Sequence, residues 1–374
     1  MKKKIVLVNQ TANYLFADII HAFAKKHGDH HIEAWYGSFD HDKSTLPANV
    51  KLAEGPQYSR DSFKERFRSW VAFYLWLRKK IKKQDAANTH FFFVSNPPLF
   101  VFLPRLAKLD FTCLIYDLYP DVLEGISKHG FLKRLTKRWQ ARNRKVFPKA
   151  AHIYTIGEGL QKAIQQYSPA NVSLVPVWNK QADANASNRD FKTEWGLTGK
   201  KIILYSGNIG ITHPLEYLVA LAKELQRDPQ WQIVIVGKGN KKQQLQELAL
   251  NMPNVMFYDP VPLTDLQQLL SVATWGYVTL DTGATNGSVP SKTFNLLAQG
   301  IPILALVNGS SEIARLLNQY DSGICFTEND IAATAQKLVG FSAEAHHKLS
   351  ENAVICAKDF TPALAARFAE HWPN

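Results

Sequence analysis

Short runs of β-branched and aromatic residues alternate with amphipathic segments along both halves of the chain. In the amphipathic segments apolar positions recur every three or four residues, as expected for helices that follow strands. This alternation predicts parallel sheets covered by helices on both faces. In the first half the predicted strands are Lys4 to Val8, Ile32 to Tyr36, His90 to Val94, Thr112 to Tyr116, His152 to Ile156 and Ser173 to Pro176.

The alternation stops in the middle of the chain. Residues Asn179 to Lys200 are polar and have no strand pattern, which predicts an inter-domain connection with a short helix. A second series of strands follows, at Ile202 to Tyr205, Gln232 to Val236, Val255 to Tyr258, Gly276 to Leu280, Ile303 to Leu306 and Gly323 to Phe326. We therefore predict an α/β protein with two Rossmann-like doubly wound domains, residues 1–178 and 179–359. They are expected to face a cleft, with ligands at the carboxyl ends of the strands.

Size and charge add to this picture. A chain of 374 residues with 46% hydrophobic residues is long enough for two buried cores. Residues 1–178 contain 28 Lys and Arg against 14 Asp and Glu, and residues 179–374 contain 16 against 18, which gives +14 and −2. The first half is therefore expected to face an anionic surface or ligand.

The cysteines and the N-terminal segment indicate the compartment. Cys113, Cys325 and Cys356 have apolar neighbours and no metal-ligand spacing, which predicts buried free thiols in a reducing cytosol. The apolar run Ile5 to Val8 is too short for a secretory signal and predicts a first strand. No apolar run reaches the roughly 18 residues of a membrane-spanning helix. A cytoplasmic protein is expected.

A glycine-rich turn follows the first strand of the second half. Ser206 to Gly210 (SGNIG) come directly after this strand, and a helix opens at Pro214. Glycines let the backbone approach a ligand closely, and a helix N-terminus offers free N–H groups to a phosphate. Taken alone, a purely structural turn explains this segment equally well.

A second loop of the same kind lies at Thr285 to Thr293 (TNGSVPSKT), between a predicted strand and a helix. Ser288 or Ser291 would cap this helix, and Lys292 with the exposed amides would suit a diphosphate. A capped helix with a surface lysine explains these residues one by one. It does not explain their pairing with the SGNIG turn.

Four segments together resemble a known family. They are IYDLYPDVL at 115–123, SGNIG at 206–210, VGKGN at 236–240 and VPSKTFNLLAQGIPIL at 289–304. They are similar to the retaining GT-B glycosyltransferases of family four. Within that family the similarity is to the branch that acts on bacterial lipid-linked oligosaccharides in O-antigen and capsule assembly, including acetamido-fucose transferases. The resemblance implies an acceptor-binding first domain, a donor-binding second domain and a C-terminal helix, residues 360–374, that packs back on the first domain.

Carried over residue by residue, the resemblance assigns nine residues to the donor: Gly207, Asn208, Gly210, His213, Lys238, Ser291, Lys292, Thr293 and Asn295. Many relatives have an arginine at the position of Asn208 and a lysine at that of His213. Part of the leaving-group charge would then be stabilised by Lys292, helix dipoles or Lys238. Relatives also often carry two glutamates where this chain has Gly287 and Asn295. Asn295 can still hydrogen-bond a ribose hydroxyl, but the sugar and the anomeric outcome stay open.

Two acidic residues are candidates for catalysis. Asp117 and Asp121 follow the predicted strand Thr112 to Tyr116, and a carboxylate there would orient or deprotonate an acceptor hydroxyl. A helix cap or a turn around Pro120 is an equally weighted alternative. The SNPP turn, Ser95 to Pro98, also follows a strand and is expected to line the acceptor side.

Two basic stretches hold 18 of the 44 Lys and Arg residues. Arg60 to Lys83 contains nine with two acids, and Lys128 to Lys149 contains nine with none, both interleaved with aromatic residues. Such helices bind anionic membrane surfaces, at roughly 1 kcal/mol per cation. In the alternative interpretation the aromatic residues pack on the sheet and the cations are merely solvated. No motif of a nucleic-acid module is present, so no nucleic-acid partner is expected.

The sequence thus predicts a peripheral enzyme at the inner face of the cell membrane that transfers a sugar from a nucleotide, UDP by expectation, to a lipid-linked glycan. No cofactor and no metal are expected, since the donor loop has no DxD motif and amides with Lys292 would stabilise the leaving group. A sugar-nucleotide epimerase of the same fold and a non-catalytic nucleotide-sugar-binding partner subunit are the alternatives.

Overall fold

The structure is a computed structural model that describes residues 4–59, 63–121, 130–180, 186–210, 213–280 and 289–371. The chain forms two compact units. Unit 1 comprises Met1–Pro176 and Pro362–Asn374, and unit 2 comprises Val177–Thr361. Each unit contains one parallel sheet, so the predicted α/β class with two Rossmann-like sheets is confirmed.

Unit 1 is built on seven parallel strands: β1 (Lys4–Asn13), β2 (His31–Asp40), β3 (Val50–Glu54), β4 (Thr89–Val94), β5 (Asp110–Ile115), β6 (His152–Thr155) and β7 (Val172–Leu174). Its helices in the described residues are α1 (Tyr14–Lys26), α2 (Phe63–Ile81), α3 (Gly130–Val146) and α4 (Glu158–Gln165). The strand order is β3-β2-β1-β4-β5-β6-β7. The order reverses between β1 and β4, and parallel sheets bind ligands at the carboxyl ends of the strands beside such a reversal.

The core of unit 1 explains why its strands read as continuous apolar runs. Val8 of β1 lies opposite Trp35 of β2 and Phe93 of β4, and all three side chains are buried. A parallel sheet with helices on both faces has no solvated side, so alternation with polar residues is absent. Strand β3 lies at the sheet edge and was not predicted, because only Val50 of its five residues is buried.

Unit 2 is built on six parallel strands: β8 (Lys201–Ser206), β9 (Trp231–Val236), β10 (Val255–Tyr258), β11 (Trp275–Thr279), β12 (Ile303–Leu306) and β13 (Gly323–Phe326). Its helices in the described residues are α5 (Phe191–Glu194), α6 (Glu216–Leu225), α7 (Lys242–Leu248), α8 (Leu266–Leu270), α9 (Ser291–Ala298), α10 (Glu312–Tyr320), α11 (Ile331–Val339) and α12 (Ala343–Lys358). The strand order is β10-β9-β8-β11-β12-β13, with its reversal between β8 and β11.

The C-terminal segment Pro362–Ala369 belongs to unit 1 and forms a 3-10 helix. Phe368 packs against Phe92 and Tyr154, with ring centroids 5.9 and 4.9 Å apart. His27 of α1 adds a hydrogen bond between its Nε2 and the backbone oxygen of Ala369, at 3.0 Å. The C-terminal segment therefore packs on the β4 and β6 region of unit 1, and residues 372–374 lie outside the described residues.

Candidate active site

Two glycine turns pack against each other at the carboxyl ends of β8 and β9. The N–H of Ile209 donates to the backbone oxygen of Lys238 at 2.9 Å. A Cβ atom added to Gly237 would lie 1.9 Å from the oxygen of Gly207, and one added to Gly239 would lie 2.1 Å from that of Ile209. Only glycine fits at these two positions, so the VGKGN segment supports the SGNIG turn from behind.

Three side chains of these turns are exposed to solvent, those of Asn208, Lys238 and Asn240. The amide of Asn208 lies over Gly210, where an added Cβ would come 2.5 Å from its Nδ2. The hydroxyl of Tyr205 donates to the backbone oxygen of Asn208 at 2.6 Å and fixes the turn. Gly210 therefore sets the shape of the turn, while Asn208 and Lys238 present polar groups to a ligand.

Lys292, from the second loop, reaches the same turn. Its Nζ lies 3.9 Å from the ring centroid of Tyr205 and 3.5 Å from the place that a Cβ of Gly207 would occupy. Burial lowers the pKa of Lys292 to about 7. Within the described residues no carboxylate pairs with this ammonium group. The two loops that the sequence pairs are thus brought together around a cation that has no counter-ion among the described residues.

His213 adds a second titratable nitrogen base beside Lys292. Its Nδ1 is 3.3 Å from the backbone oxygen of Thr279, at the end of β11. Burial lowers the pKa of His213, the nearby charge of Lys292 lowers it further, and the hydrogen bond to Thr279 opposes both. Because β8 and β11 flank the reversal of strand order, both bases lie where such a sheet binds its ligand. An anion there would favour the charged form of each.

The N-terminus of α9 supplies backbone donors to the same place. Pro290 occupies the N-cap position and no side chain caps the helix. The predicted cap by Ser291 is therefore wrong, since Ser291 is the first helical residue; Ser288 lies outside the described residues. Because the first amides of a helix have no intrahelical acceptor, the N–H groups of Ser291 and Lys292, which have no acceptor in the part of the chain that the structure describes, can serve a ligand at the positive end of the helix dipole.

Two predicted donor residues of α9 are placed differently. Thr293 is fully buried and its hydroxyl lies inside the unit, so its side chain is removed from the candidate donor set. Asn295 Oδ1 accepts a hydrogen bond from the N–H of Lys180 at 2.7 Å, which leaves only its Nδ2 group for a ribose. Gly287 lies outside the described residues.

In unit 1, Asp117 lies just after β5, at the carboxyl end of the sheet. The hydroxyl of Ser95 accepts from the N–H of Tyr116 at 2.9 Å and from that of Asp117 at 3.4 Å. This ties the SNPP turn to the loop that carries Asp117. The side chain of Asp117 reaches solvent, yet desolvation by the surrounding loop raises the pKa of its carboxyl. It is well placed to accept a proton or a hydrogen bond from a bound hydroxyl.

Asp121 has a different environment. Its Oδ1 accepts from the hydroxyl of Tyr167 at 3.0 Å, and its Oδ2 accepts from Nε2 of Gln166 at 2.9 Å. Both oxygens are therefore engaged in anchoring the loop to the end of α4. Asp121 therefore has a structural role in its loop. Asp117 is the one of the two predicted acids that remains a catalytic candidate. No group of three His, Cys, Asp or Glu side chains in the described residues is placed to hold a metal ion.

The two basic stretches form α2 and α3, and three of their aromatic residues, Trp70, Tyr74 and Trp139, face inward. Trp70 of α2 and Trp139 of α3 both contact Tyr119, with ring centroids 5.4 and 5.7 Å apart. The hydroxyl of Tyr74 donates to the backbone oxygen of Phe102 at 3.2 Å. The alternative in which the aromatic stripe packs on the domain is therefore correct for these residues. Residues 60–62 and 128–129 of the two stretches lie outside the described residues.

The outward faces of α2 and α3 are basic with a few apolar residues. Phe67, Leu75 and Leu135 are 44%, 53% and 40% exposed. The exposed cations around them are Lys64, Arg68, Arg78, Lys79, Lys82, Lys83, Arg134, Lys137, Arg138, Arg144, Lys145 and Lys149. Since both helices contact Tyr119, α2 and α3 are neighbours on unit 1. Among the helices of the described ranges, none combines the length and apolarity needed to cross a bilayer.

Comparison of the sequence with known proteins shows what this chain resembles. Residues 187–354, within unit 2, match the family described as Glycosyl transferases group 1. The chain is 28% identical over 221 residues to the putative colanic acid biosynthesis glycosyl transferase WcaI of Escherichia coli K12, covering 56% of this chain. That match spans 53%, about half, of the length of the curated relative. Over residues 187–354 the predicted resemblance is thereby confirmed at the level of group 1 glycosyl transferases. The acetamido-fucose transferase subtype stays a prediction.

Solved structures show the same fold. WaaG, a glycosyltransferase involved in lipopolysaccharide biosynthesis, superposes with a TM-score of 0.69 at 15% identity, covering 98% of this chain and 99% of WaaG. HepE of Anabaena in complex with UDP superposes with a TM-score of 0.65 at 11% identity, covering 98% of both chains. At these identities the likeness shows the fold alone, which is the two-sheet GT-B fold expected from the sequence.

Proposed function

We propose that this protein is a glycosyltransferase of bacterial polysaccharide biosynthesis that transfers a sugar from a UDP-sugar to a lipid-linked glycan. One observation carries the donor assignment. Lys292 and His213, neither paired with a carboxylate in the described residues, meet the SGNIG turn and the open N-terminus of α9 beside the sheet reversal. Cationic groups and free amides that converge in this way bind diphosphates. The family match over residues 187–354 and the UDP bound to the structurally similar HepE support this choice of donor.

Catalysis would consist mainly of stabilising the departing nucleotide diphosphate. As the bond between the anomeric carbon and the β-phosphate oxygen breaks, negative charge grows on that oxygen, and Lys292 with the α9 amides lies where it can be stabilised. The acceptor hydroxyl oxygen forms the new bond to the anomeric carbon and gives its proton to the carboxylate of Asp117. Lys292 and the α9 amides supply the positive charge at the leaving group, so the proposed reaction is independent of a metal ion. The proposal also includes retention of the anomeric configuration.

The acceptor side of the proposal rests on unit 1. Asp117 has an accessible carboxylate, and the loop that carries it contacts both basic helices through Tyr119. A lipid-linked acceptor is itself anionic and held in a membrane, which suits the basic outward faces of α2 and α3. The protein would then act in the cytoplasm at the inner face of the cell membrane. The biosynthetic roles printed for WcaI and WaaG agree with a polysaccharide product.

A transfer assay tests the proposal. A thermal-shift screen of nucleotide sugars selects the donor, and the radiolabelled donor is then incubated with the protein and a bacterial membrane lipid extract. Label in the lipid fraction that is lost with Lys292→Gln supports the proposal. Label in an altered free nucleotide sugar would point to an epimerase instead, and binding without either product would point to a non-catalytic partner subunit.

A further inference from the structure

Buried polar atoms without hydrogen-bond partners gather at the carboxyl end of the unit 1 sheet. Among the described residues they include Nε of Arg66 and Nε1 of Trp70, both on α2. Gln10 Oε1, near the end of β1, and Asn96 Oδ1, just after β4, are also buried without a hydrogen-bond partner. Buried polar atoms in folded proteins nearly always have a partner. Such a group beside the sheet reversal indicates a place where a ligand completes the hydrogen bonding.

The two donors lie on one face of α2. Arg66 and Trp70 are four residues apart, so their side chains are neighbours on the helix surface. This face is held against the sheet because Nε2 of Gln10 donates to the backbone oxygen of Ser69 at 2.9 Å. Trp70 is 5% exposed, so its indole N–H has little access to water. The donors are therefore fixed in direction before any ligand arrives.

Arg66 and Asp117 lie close to the same tyrosine. Burial raises the pKa of Tyr119, the charges of Asp117 and Tyr58 raise it further, and the charge of Arg66 opposes them. The ring of Tyr119 contacts the ring of Trp70. Arg66, Trp70 and the candidate catalytic carboxylate of Asp117 are thus grouped around Tyr119.

Arg142 shows which hydrogen-bond acceptors Arg66 lacks. The guanidinium of Arg142 donates to the backbone oxygens of Val101 and Leu103, at 2.6 and 2.9 Å. Arg66 has neither such an acceptor nor a carboxylate partner among the described residues, although it is partly buried. Because the Nε of this permanently charged group is removed from water, an anionic partner is expected there.

The two donors on α2 indicate the chemistry of that partner, whereas Gln10 Oε1 and Asn96 Oδ1 are acceptors that hydroxyl groups of the glycan would satisfy. An N–H of Arg66 and the indole N–H of Trp70 only donate. A ligand that satisfies them must present several acceptor oxygens and negative charge, as a phosphate ester does. A neutral sugar lacks the charge, and an isoprenoid chain lacks both charge and acceptors.

We propose that Arg66 and Trp70 bind the diphosphate of the lipid-linked acceptor and so hold the acceptor glycan beside Asp117. The identification of the ligand as an acceptor rests on the proposed function, whereas the binding of a phosphate group does not. The basic outward faces of α2 and α3 would attract the membrane that contains such a lipid. Arg66 is a positioning residue in this scheme, since it binds a part of the acceptor that does not react.

Calorimetric titration of the full chain tests the subsite. Farnesyl diphosphate is titrated into protein saturated with UDP, so that the donor diphosphate site is filled, and inorganic pyrophosphate and farnesol are titrated in parallel. Arg66→Gln should weaken farnesyl diphosphate binding by about 10- to 100-fold, the value of a lost hydrogen bond to a charged group. The control is Arg227→Gln, which removes an exposed arginine charge on unit 2 and should change binding less than about twofold.

Several results would overturn the subsite. They are an unchanged affinity in Arg66→Gln, an equal loss in Arg227→Gln, farnesol binding as tightly as farnesyl diphosphate, or pyrophosphate binding that does not depend on Arg66. A loss with Trp70→Phe in a variant that keeps its unfolding temperature supports the subsite independently. Lys292→Gln separates the two proposals. If UDP fails to bind but pyrophosphate binding depends on Arg66 and not on Lys292, the donor proposal fails and the subsite stands. If UDP binds normally and Arg66→Gln has no effect, the donor proposal stands and the subsite fails.

Discussion

Replacing Lys292 by Met should stabilise the ligand-free protein. Burial lowers the pKa of Lys292 from an ordinary value of 10.5 to about 7, and no described carboxylate compensates for its charge. Between these two values the unfolded chain binds the proton and the folded protein releases it. Below pH 7 the free energy of unfolding is therefore lowered by the full cost of this pKa shift. The cost disappears progressively as the pH rises to 10.5. A difference of 3.5 pH units corresponds to at most about 5 kcal/mol.

The stabilisation by Lys292→Met should be smaller than this limit of about 5 kcal/mol. Lys292 is only partly buried, and its contact with the ring of Tyr205 at 3.9 Å returns part of the desolvation cost. We therefore expect Lys292→Met to stabilise unit 2 by about 1–2 kcal/mol at pH 6–7, or roughly 2–8 °C in unfolding temperature. The gain should shrink toward pH 10, because the wild-type protein itself becomes more stable over that range.

Differential scanning calorimetry at pH 6, 7.5 and 9 measures this difference. Lys238→Met is the matched control, because it removes an exposed lysine from the adjacent glycine turn. A Lys292→Met protein that is less stable at every pH, or a gain that does not vary with pH, would refute the reasoning. It would mean that the ammonium group of Lys292 is well solvated or paired in the folded state.

The same change should abolish binding of UDP. A diphosphate raises the pKa of Lys292, so binding takes up a proton above pH 7 and the affinity should fall by about tenfold per pH unit there. Below pH 7 Lys292 is already charged and contributes no slope. Lys292→Arg, which stays charged throughout, should retain binding and lose this part of the pH dependence. A wild-type affinity for UDP that is constant from pH 7 to 9 would contradict the assignment.

Three further changes test other parts of the structure. Gly237→Ala places a Cβ against the oxygen of Gly207 and should lower the unfolding temperature by several degrees and prevent UDP binding, whereas Gly309→Ala, in open space, should do neither. Asp117→Asn should reduce transfer by about 10²- to 10⁴-fold at unchanged UDP affinity, whereas Asp121→Asn should chiefly reduce stability; equal kinetic effects would contradict their different roles. Neutralising the basic face of α2 should release the protein from anionic liposomes in flotation, and retention would remove this helix from membrane binding. The residues changed to Gln are Arg78, Lys79, Lys82 and Lys83. The control set on unit 2 is Lys223, Lys337, Lys348 and Lys358.

The sequence predicts those features that depend on local chemistry. The glycines of the SGNIG turn and the pairing of that turn with Lys292 are encoded within short segments, and both appear in the structure. The roles of Thr293 and Asn295 depend on tertiary packing. Thr293 lies on the buried side of α9, and Asn295 is engaged by Lys180, 115 residues earlier in the chain. No local pattern carries that information.

The two acids of the DLYPD loop show the same limit. In sequence Asp117 and Asp121 are equivalent candidates, since each lies in a polar loop after a strand. The structure separates them because Tyr167, 46 residues later, occupies one oxygen of Asp121. The signal that could have distinguished them is the QY pair, Gln166 and Tyr167, at the end of α4, but it becomes meaningful only once α4 is placed beside the loop.

The inward packing of the aromatic residues changes how α2 and α3 would meet a membrane. Because Trp70 and Trp139 are committed to Tyr119, they are not available for insertion among lipids. The exposed apolar side chains Phe67, Leu75 and Leu135 are few, so attraction between exposed cations and anionic headgroups must supply most of the affinity. Such binding weakens as salt shortens the Debye length from about 10 Å at 0.1 M to about 3 Å at 1 M. Liposome binding that persisted at 1 M salt would therefore imply insertion of apolar residues that this arrangement keeps inside the protein.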